Sequence, residues 1–356
     1  MPSFPASSSF SSFSSFSSFS SFASAYLPRV ELTLRQTLAS PRLAEGTHYA
    51  MMRYHMGWLN EEFRPVQANT GKGIRPLLCL LSCAAVGGDP VIALPAAAAL
   101  ELLHNFSLVH DDVEDNSPTR RHRPTVWALW GRPQAINVGD ALFAHAFQSL
   151  LNLAPVVPPV QVMETVQRFV HACIALTEGQ HLDMGFEARL DVTTDDYLQM
   201  IRGKTAALLA ASVEMGAGLG GAQTQQLSAL HHFGESLGLA FQIQDDILGI
   251  WGDEQKTGKS AASDILARKK SLPVLSALNG PQGAALRSLY ARPRLTVDEV
   301  PAVLELLEAA GARAHAAALV ETYSTAALQA LQAARLTAPA GDHLRDLALH
   351  LLDRQV

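Results

Sequence analysis

The stretch ELLHNFSLVHDDVEDNSPTRRHRPT, residues 101–125, begins as an apolar run and ends in a block of charge. Apolar residues at helical spacing lead through Val109, and four carboxylates then fill five positions: Asp111, Asp112, Glu114 and Asp115. Three arginines, Arg120, Arg121 and Arg123, lie just beyond. On a helix Asp111 and Asp115 are one turn apart, so their carboxylates leave the same face, with Asp112 beside them. Like charges this close repel unless something positive sits among them. Two readings are open: a solvated cluster of salt bridges, or an all-oxygen site for Mg²⁺, which keeps waters and shares its ligands with substrate phosphates.

The rest of the chain narrows the choice. Of 356 residues, 48% are hydrophobic and 17% charged, enough apolar material for a sizeable core. The net charge of -6 gives no footprint for nucleic acid, so the basic clusters point to small anions. Cys79, Cys83 and Cys173 form no disulfide framework, which suits a reducing cytoplasm, and Cys79 and Cys83 are expected in the core. No uninterrupted apolar run is long enough to span a bilayer, so no transmembrane segment is expected. Residues 7–22 repeat Ser-Ser-Phe without a charge. They have no basic n-region, and their period of three matches neither a helix nor a strand. Residues 1–25 are expected to be a disordered tail followed by one all-helical domain over 26–356, and deletion of residues 2–24 is expected to leave activity and thermal stability almost unchanged.

From Tyr26 onward the pattern is that of an all-α bundle. Apolar residues recur at helical spacing over 91–110, 134–153, 159–182, 196–219, 223–249 and 300–334. Breaks are expected at Gly87-Gly88-Asp89-Pro90, at Pro155 with Pro158-Pro159, over Gly216 to Gly221, and at Gly280-Pro281. Asp89 before Pro90, and Thr193-Thr194 before Asp195-Asp196, read as helix starts. No alternating strand pattern is present.

A second acidic pair closes another apolar helical run in FQIQDDILGIWGD, residues 241–253, where Asp245 and Asp246 are followed by Asp253. Two helices that each end an apolar stripe in Asp-Asp are poorly explained as solvated faces. Facing one another, they would clamp metal ions and neutralise a polyphosphate. Lys72, Arg75, Arg120, Arg121, Lys204, Lys259 and Lys269-Lys270 each fall at or near the end of a helical run. Cations placed that way can converge on one mouth of a bundle and hold phosphate-bearing substrates by charge-assisted hydrogen bonds.

Taken in order, these segments resemble the trans-prenyltransferases, the polyprenyl diphosphate synthases of the all-helical isoprenoid synthase fold. GKGIRP is similar to that family's GKRxRP, HDDVED to its first aspartate-rich motif, and RRHRPT to RRGxPT. GQHLDM, RGKTA and FQIQDD follow, then GK with a downstream SD and KKSLP. The resemblance implies a Mg²⁺-dependent enzyme, a homodimer, that ionises an allylic diphosphate and adds isopentenyl diphosphate through an apolar cavity. By the same resemblance Asp111, Asp115 and Asp245 are metal ligands, supported by Asp112 and Asp246. Lys72, Arg75, His104 and Arg121 correspond to the isopentenyl diphosphate site. Arg120, Lys204, Lys259 and Lys269 face the allylic diphosphate, and Gln242 lies near the reacting carbons.

Three positions depart from the family pattern. Gly73 replaces an arginine, His122 a glycine, and Gly249 the last aspartate of the second DDxxD, leaving that site to Asp245, Asp246 and Asp253. None removes an expected metal ligand, so an active enzyme is expected. A non-catalytic partner subunit would have lost one acidic motif or the cations. A class I terpene cyclase would carry an Asn/Ser/Glu triad and no Lys72/Arg75 pair. Product length is expected to depend on Phe106 and Ser107, the fifth and fourth residues before Asp111, roughly 6–8 Å deeper along the helix. One bulky and one small side chain there imply geranylgeranyl diphosphate, with farnesyl diphosphate second.

Overall fold

The computed structural model describes residues 19–39, 47–68, 71–252, 263–281 and 283–353. Their backbone is helical almost throughout, which bears out the all-α expectation. The chain divides into two compact units, one of residues 1–170, 212–227 and 336–346, the other of residues 171–211, 228–335 and 347–356.

The first unit contains α1 (Ser20–Thr37), α2 (Thr47–His55), α3 (Ile74–Ala85), α4 (Leu94–Glu114), α5 (Val126–Trp130), α6 (Arg132–Leu151) and the start of α7 (Pro159–Phe186). Helix α4 is its centre and packs on α1, α3 and α6. Ala96 to Ala99, Leu100, Leu102 and Leu103 are all fully buried, so α4 is enclosed nearly all round until its acidic end. Each such leucine contributes about 1.5–3 kcal/mol through burial. Among the described residues one helical stretch, Pro90–Glu114, is long and apolar enough to cross a membrane, and it is this core helix. Asp89 starts it as expected, its side chain accepting from Val91 N at 2.9 Å.

The break expected over Gly216 to Gly221 falls at its far end, at Gly220-Gly221. Helix α9 (Ala207–Leu219) runs through Gly216 and Gly218. A Cβ on Gly216 would lie 1.9 Å from the Cys79 carbonyl oxygen, so glycine here lets α9 lie directly on α3. Cys79 and Cys83 are fully buried, as their apolar context predicts. The N-terminal boundary also moves. Helix α1 begins at Ser20, Phe19 is completely buried and Ala23 nearly so. Truncation through residue 24 therefore removes packed core, and the expectation of a dispensable tail to residue 25 does not hold for residues 19–25; residues 1–18 lie outside the described residues.

The second unit contains α8 (Thr194–Ile201), a π-helical turn at Arg202–Ala206, most of α10 (Thr224–Trp251), α11 (Ser263–Leu266), α12 (Leu272–Leu278), α13 (Gly283–Tyr290), α14 (Val300–Ala309), α15 (Ala312–Ala333) and the end of α16 (Ala340–Leu352). Its core gathers Tyr197, Ile243, Ile247, Leu272, Leu275, Val303 and Leu307. Thr193 caps α8 with a capping box to Asp196, as the sequence predicts.

The sequence gives no hint of strands, yet a two-residue antiparallel hairpin joins Thr119–Arg120 to Arg123–Pro124. Its turn residues, Arg121 and His122, both have positive φ, at 51° and 63°. A left-handed pair is what a tight hairpin of this hand requires, and it explains why a glycine is at home at position 122.

Candidate active site

The acidic block falls at the C-terminal end of α4, where negative charge opposes the helix dipole. Asp115 is the C-cap, its N–H donating to the Asp111 carbonyl at 2.8 Å. The four carboxylates divide into different roles. Asp112 is 2% exposed and accepts from Arg120 Nε at 2.8 Å. Burial pushes its carboxyl up to about 6, against the pull of Arg120, while Asp111 and Asp115 push it further. Asp111 is half-buried and Asp115 exposed, one turn apart on α4. A salt bridge thus takes Asp112, while Asp111 and Asp115 stand one turn apart beside it.

Around this end the first unit collects cations. Arg75 stands in the first turn of α3, its Nε buried without a hydrogen-bond partner. Burial lowers it to about 10, opposed by the Glu101 carboxylate and helped by Arg121. Arg121 packs its guanidinium over Gly71, the residue before exposed Lys72. Arg120, Arg121 and Arg123 line one small cleft with His55 and Asp112. Arg123 is a fastening rather than a ligand: it lies 4.1 Å over the Tyr54 ring and donates to the carbonyls of Tyr54 and Leu59 at 3.1 and 2.7 Å.

His55 is pushed down to about 3 by burial and by Arg121 and Arg120. His104 is lowered well below its ordinary value by burial, then by Arg75, Arg121 and Arg120. Both rings are neutral hydrogen-bonding groups at physiological pH. Opposing the arginines is Glu101, 4% exposed, whose carboxylate accepts from Asn105 Nδ2 at 3.1 Å. Arginines gathered in this way suit the binding of an anion by charge-assisted hydrogen bonds. The sequence reading includes His104 but misses His55 and Glu101.

The same helix carries Phe106 and Ser107. Ser107 folds its hydroxyl back onto the His104 carbonyl at 2.8 Å. The Phe106 ring centre lies 4.9 Å from Phe143, which meets Phe147 at 5.2 Å, which meets Phe169 at 5.2 Å. This aromatic column backs the position expected to set product length, and its α6 members carry no sequence signal.

In the second unit Asp245 and Asp246 again differ. Asp246, 1% exposed, is saturated: Oδ1 accepts from Gln242 Nε2 at 3.1 Å and Lys269 Nζ at 3.2 Å, and Oδ2 from Tyr197 Oη at 2.7 Å and Leu272 N at 3.2 Å. Asp245, the next residue back, is half-buried. The Asp246 carboxylate raises the Lys269 ammonium against burial, so Lys269 stays charged. Gln242 is fixed at both ends, its Oε1 accepting from Thr205 Oγ1 at 2.8 Å. Lys204 sits in the π-helical turn and pairs with Asp183 at 2.5 Å. Gly179 and Gly203 let α7 approach that turn: a Cβ on Gly179 would lie 2.1 Å from Lys204 N. Tyr197 and Asp183 are the members the sequence reading misses. Lys259 and Asp253 lie outside the described residues.

Among the described residues no three metal-capable side chains are preassembled. The donor set still fits Mg²⁺, because hard carboxylate oxygens in pairs suit an ion that keeps several waters and completes its shell with substrate phosphate.

Comparison with known proteins follows the same line. The chain belongs to the polyprenyl synthetase family, whose model matches residues 56–307, and it is a prenyltransferase of that family. A (2E,6E)-farnesyl diphosphate synthase of Mycobacterium tuberculosis is 42% identical over 313 residues, covering 86% of each chain. A geranylgeranyl diphosphate synthase of the same organism is 43% identical over 264 residues, covering 73% of this chain and 75% of its own. The crystal structure of a polyprenyl synthetase from Streptomyces coelicolor matches with a TM-score of 0.84 at 37% identity, over 93% of this chain and 99% of that one. The expected family and fold are borne out, and with them the coarse activity of a prenyl diphosphate synthase.

Proposed function

We propose that this protein is a Mg²⁺-dependent synthase that condenses isopentenyl diphosphate with an allylic diphosphate, giving geranylgeranyl diphosphate. The observation that carries the reading is the cation-rich cleft of the first unit, lined by Arg120, Arg121 and Arg123 with Asp112 at the acidic end of α4, with buried Arg75 within electrostatic reach of Arg121. It supports an anionic substrate held next to carboxylates that suit a metal.

In this reading the allylic carbon–oxygen bond breaks and its electron pair leaves with the diphosphate. The π bond of isopentenyl diphosphate attacks the allylic cation, and loss of a proton restores a double bond. Asp111 and Asp115 in the first unit, and Asp245 in the second, would hold Mg²⁺, which would supply charge neutralisation for the departing diphosphate. Arg120, Lys204, Lys259 and Lys269 orient the allylic diphosphate, while Lys72, Arg75, His104 and Arg121 hold isopentenyl diphosphate. Asp112 keeps Arg120 in place, and Asp246 does the same for Lys269 and Gln242.

Product length is read from Phe106 and Ser107. One ring narrows the path and a small neighbour leaves it open, which favours twenty carbons. Farnesyl diphosphate is the second reading, favoured by the 42% identity to a farnesyl diphosphate synthase. Phe106→Ala is expected to lengthen the product, and Phe106→Ala with Phe143→Ala to lengthen it further, since Phe143 stands behind the first ring. Chromatography of dephosphorylated products reads both. Unchanged lengths in the single and double variants would place the floor on another helix.

A homodimer is part of the same reading, supported by exposed Leu151, Val156, Val160 and Met163 along the end of α6 and the start of α7. The three cysteines are free and buried, which supports a reducing, cytoplasmic setting.

A further inference from the structure

The segment that follows α2 folds into a tight turn of its own. Ala68 N donates to the Gly57 carbonyl and Val66 N to that of Trp58, each at 3.0 Å, and an isolated antiparallel bridge pairs Leu59 with Pro65. At the tip the Asn60 side chain accepts from Glu62 N at 3.1 Å and from Arg64 N at 2.8 Å. Phe63, between them, has a φ of 59°. A bulky side chain rarely takes this left-handed conformation, where glycine or asparagine is at home, so a contact outside the turn must favour the ring. That contact is Trp130 of α5, whose ring stacks on Phe63 at 5.3 Å and 18°. Trp130 in turn meets the Tyr54 ring edge-on at 5.0 Å, and the Arg123 guanidinium lies over Tyr54 at 4.1 Å. The Tyr54 hydroxyl also donates to the Pro124 carbonyl at 2.7 Å. A continuous stack, Phe63–Trp130–Tyr54–Arg123, thus runs from the tip of the turn to the second strand of the arginine hairpin.

That hairpin needs an outside hold, because its turn residues Arg121 and His122 are both left-handed and neither is glycine. Its first strand has one of its own, the bond from Arg120 to Asp112 at 2.8 Å. We propose that residues 57–68 form a clasp for the second strand, with Phe63 and Trp130 as positioning residues that aim Arg121 at a diphosphate. Neither ring is among the residues lining the cleft; they act through Tyr54 and Arg123, which are. The proposal rests on the synthase reading, in which Arg121 holds isopentenyl diphosphate and Arg120 orients the allylic diphosphate. Since Asp112 fixes Arg120 independently, loosening the clasp should fall on one substrate and spare the other.

The test is steady-state kinetics of the purified full-length chain with each substrate varied in turn, together with calorimetric titration by isopentenyl diphosphate alone. Phe63→Gly suits the left-handed backbone and removes only the ring. It is expected to keep the melting temperature near wild type while raising KM and Kd for isopentenyl diphosphate about five- to tenfold, the upper scale of one aromatic pair. The KM for the allylic diphosphate and kcat should stay close to wild type. Phe63→Tyr, which restores the stack, should recover all of these values, and Trp130→Leu should reproduce the selective loss. Unchanged isopentenyl diphosphate constants in Phe63→Gly would overturn the proposal. So would an equal rise in both KM values, the mark of general loosening, or a Phe63→Tyr variant no better than Phe63→Gly. If the wild-type chain neither binds nor turns over isopentenyl diphosphate, the synthase reading fails and the proposal with it, an outcome distinct from the others.

Discussion

Replacing Asp111 or Asp245 with alanine is expected to lower turnover by about two to three orders of magnitude, the scale of losing a group that stabilises developing charge at the reacting centre. The fold should not suffer. Asp111 lies in the last turn of α4, with Asp112, Glu114 and Asp115 within four residues and the helix dipole against it. Removing one charge relieves that repulsion, so the apo protein should melt at the same temperature or slightly higher. Asp245 is half-buried beside the saturated Asp246, which keeps the hydrogen bonds of the second unit in place. Steady-state rates and circular dichroism of the two variants check this together. Near wild-type turnover in either would remove that residue from the metal set.

The opposite pattern is expected at Asp246. Asp246→Ala leaves the Tyr197 hydroxyl, the Leu272 N–H, the Gln242 amide and the Lys269 ammonium without their common acceptor. Tyr197 is 1% exposed, so its hydroxyl cannot turn to solvent. Breaking a buried charged network by removing one partner typically costs about 3–5 kcal/mol. Urea unfolding should show a loss of this size, with activity falling alongside. A loss under about 1 kcal/mol, the size of one ordinary hydrogen bond, would mean that water or a side-chain shift replaces the carboxylate. The contrast between Asp245 and Asp246, neighbours with opposite expected effects, comes from burial and partners alone.

Much of this was legible in the sequence because it is carried locally. The helical spacing of apolar residues marks α4, α7 and α10, and the charges at the ends of α4 and α10 are conspicuous against it. The acidic, arginine and lysine motifs are each contained in a few residues. Other features depend on contacts between distant parts of the chain and leave no periodic trace. His55 reaches the cleft from α2, and Lys204 meets Asp183 across two helices. Tyr197 finds Asp246 from α8, and Asp264 fills the space beside Gly249. At Gly216 a glycine permits close packing of α9 on α3, which its own segment does not announce. The start of α1 was missed for a related reason. The Ser-Ser-Phe period conceals that Phe19 and Ala23 lie on a buried face.

The central claim is that this one chain elongates an allylic diphosphate with the help of Mg²⁺. The most direct measurement is incubation of the purified protein with Mg²⁺, farnesyl diphosphate and labelled isopentenyl diphosphate, with a parallel sample in EDTA. The account predicts label in a longer prenyl diphosphate with Mg²⁺ and none with EDTA. A hydrocarbon product, turnover that requires a second kind of subunit, or elongation unaffected by EDTA would each contradict it.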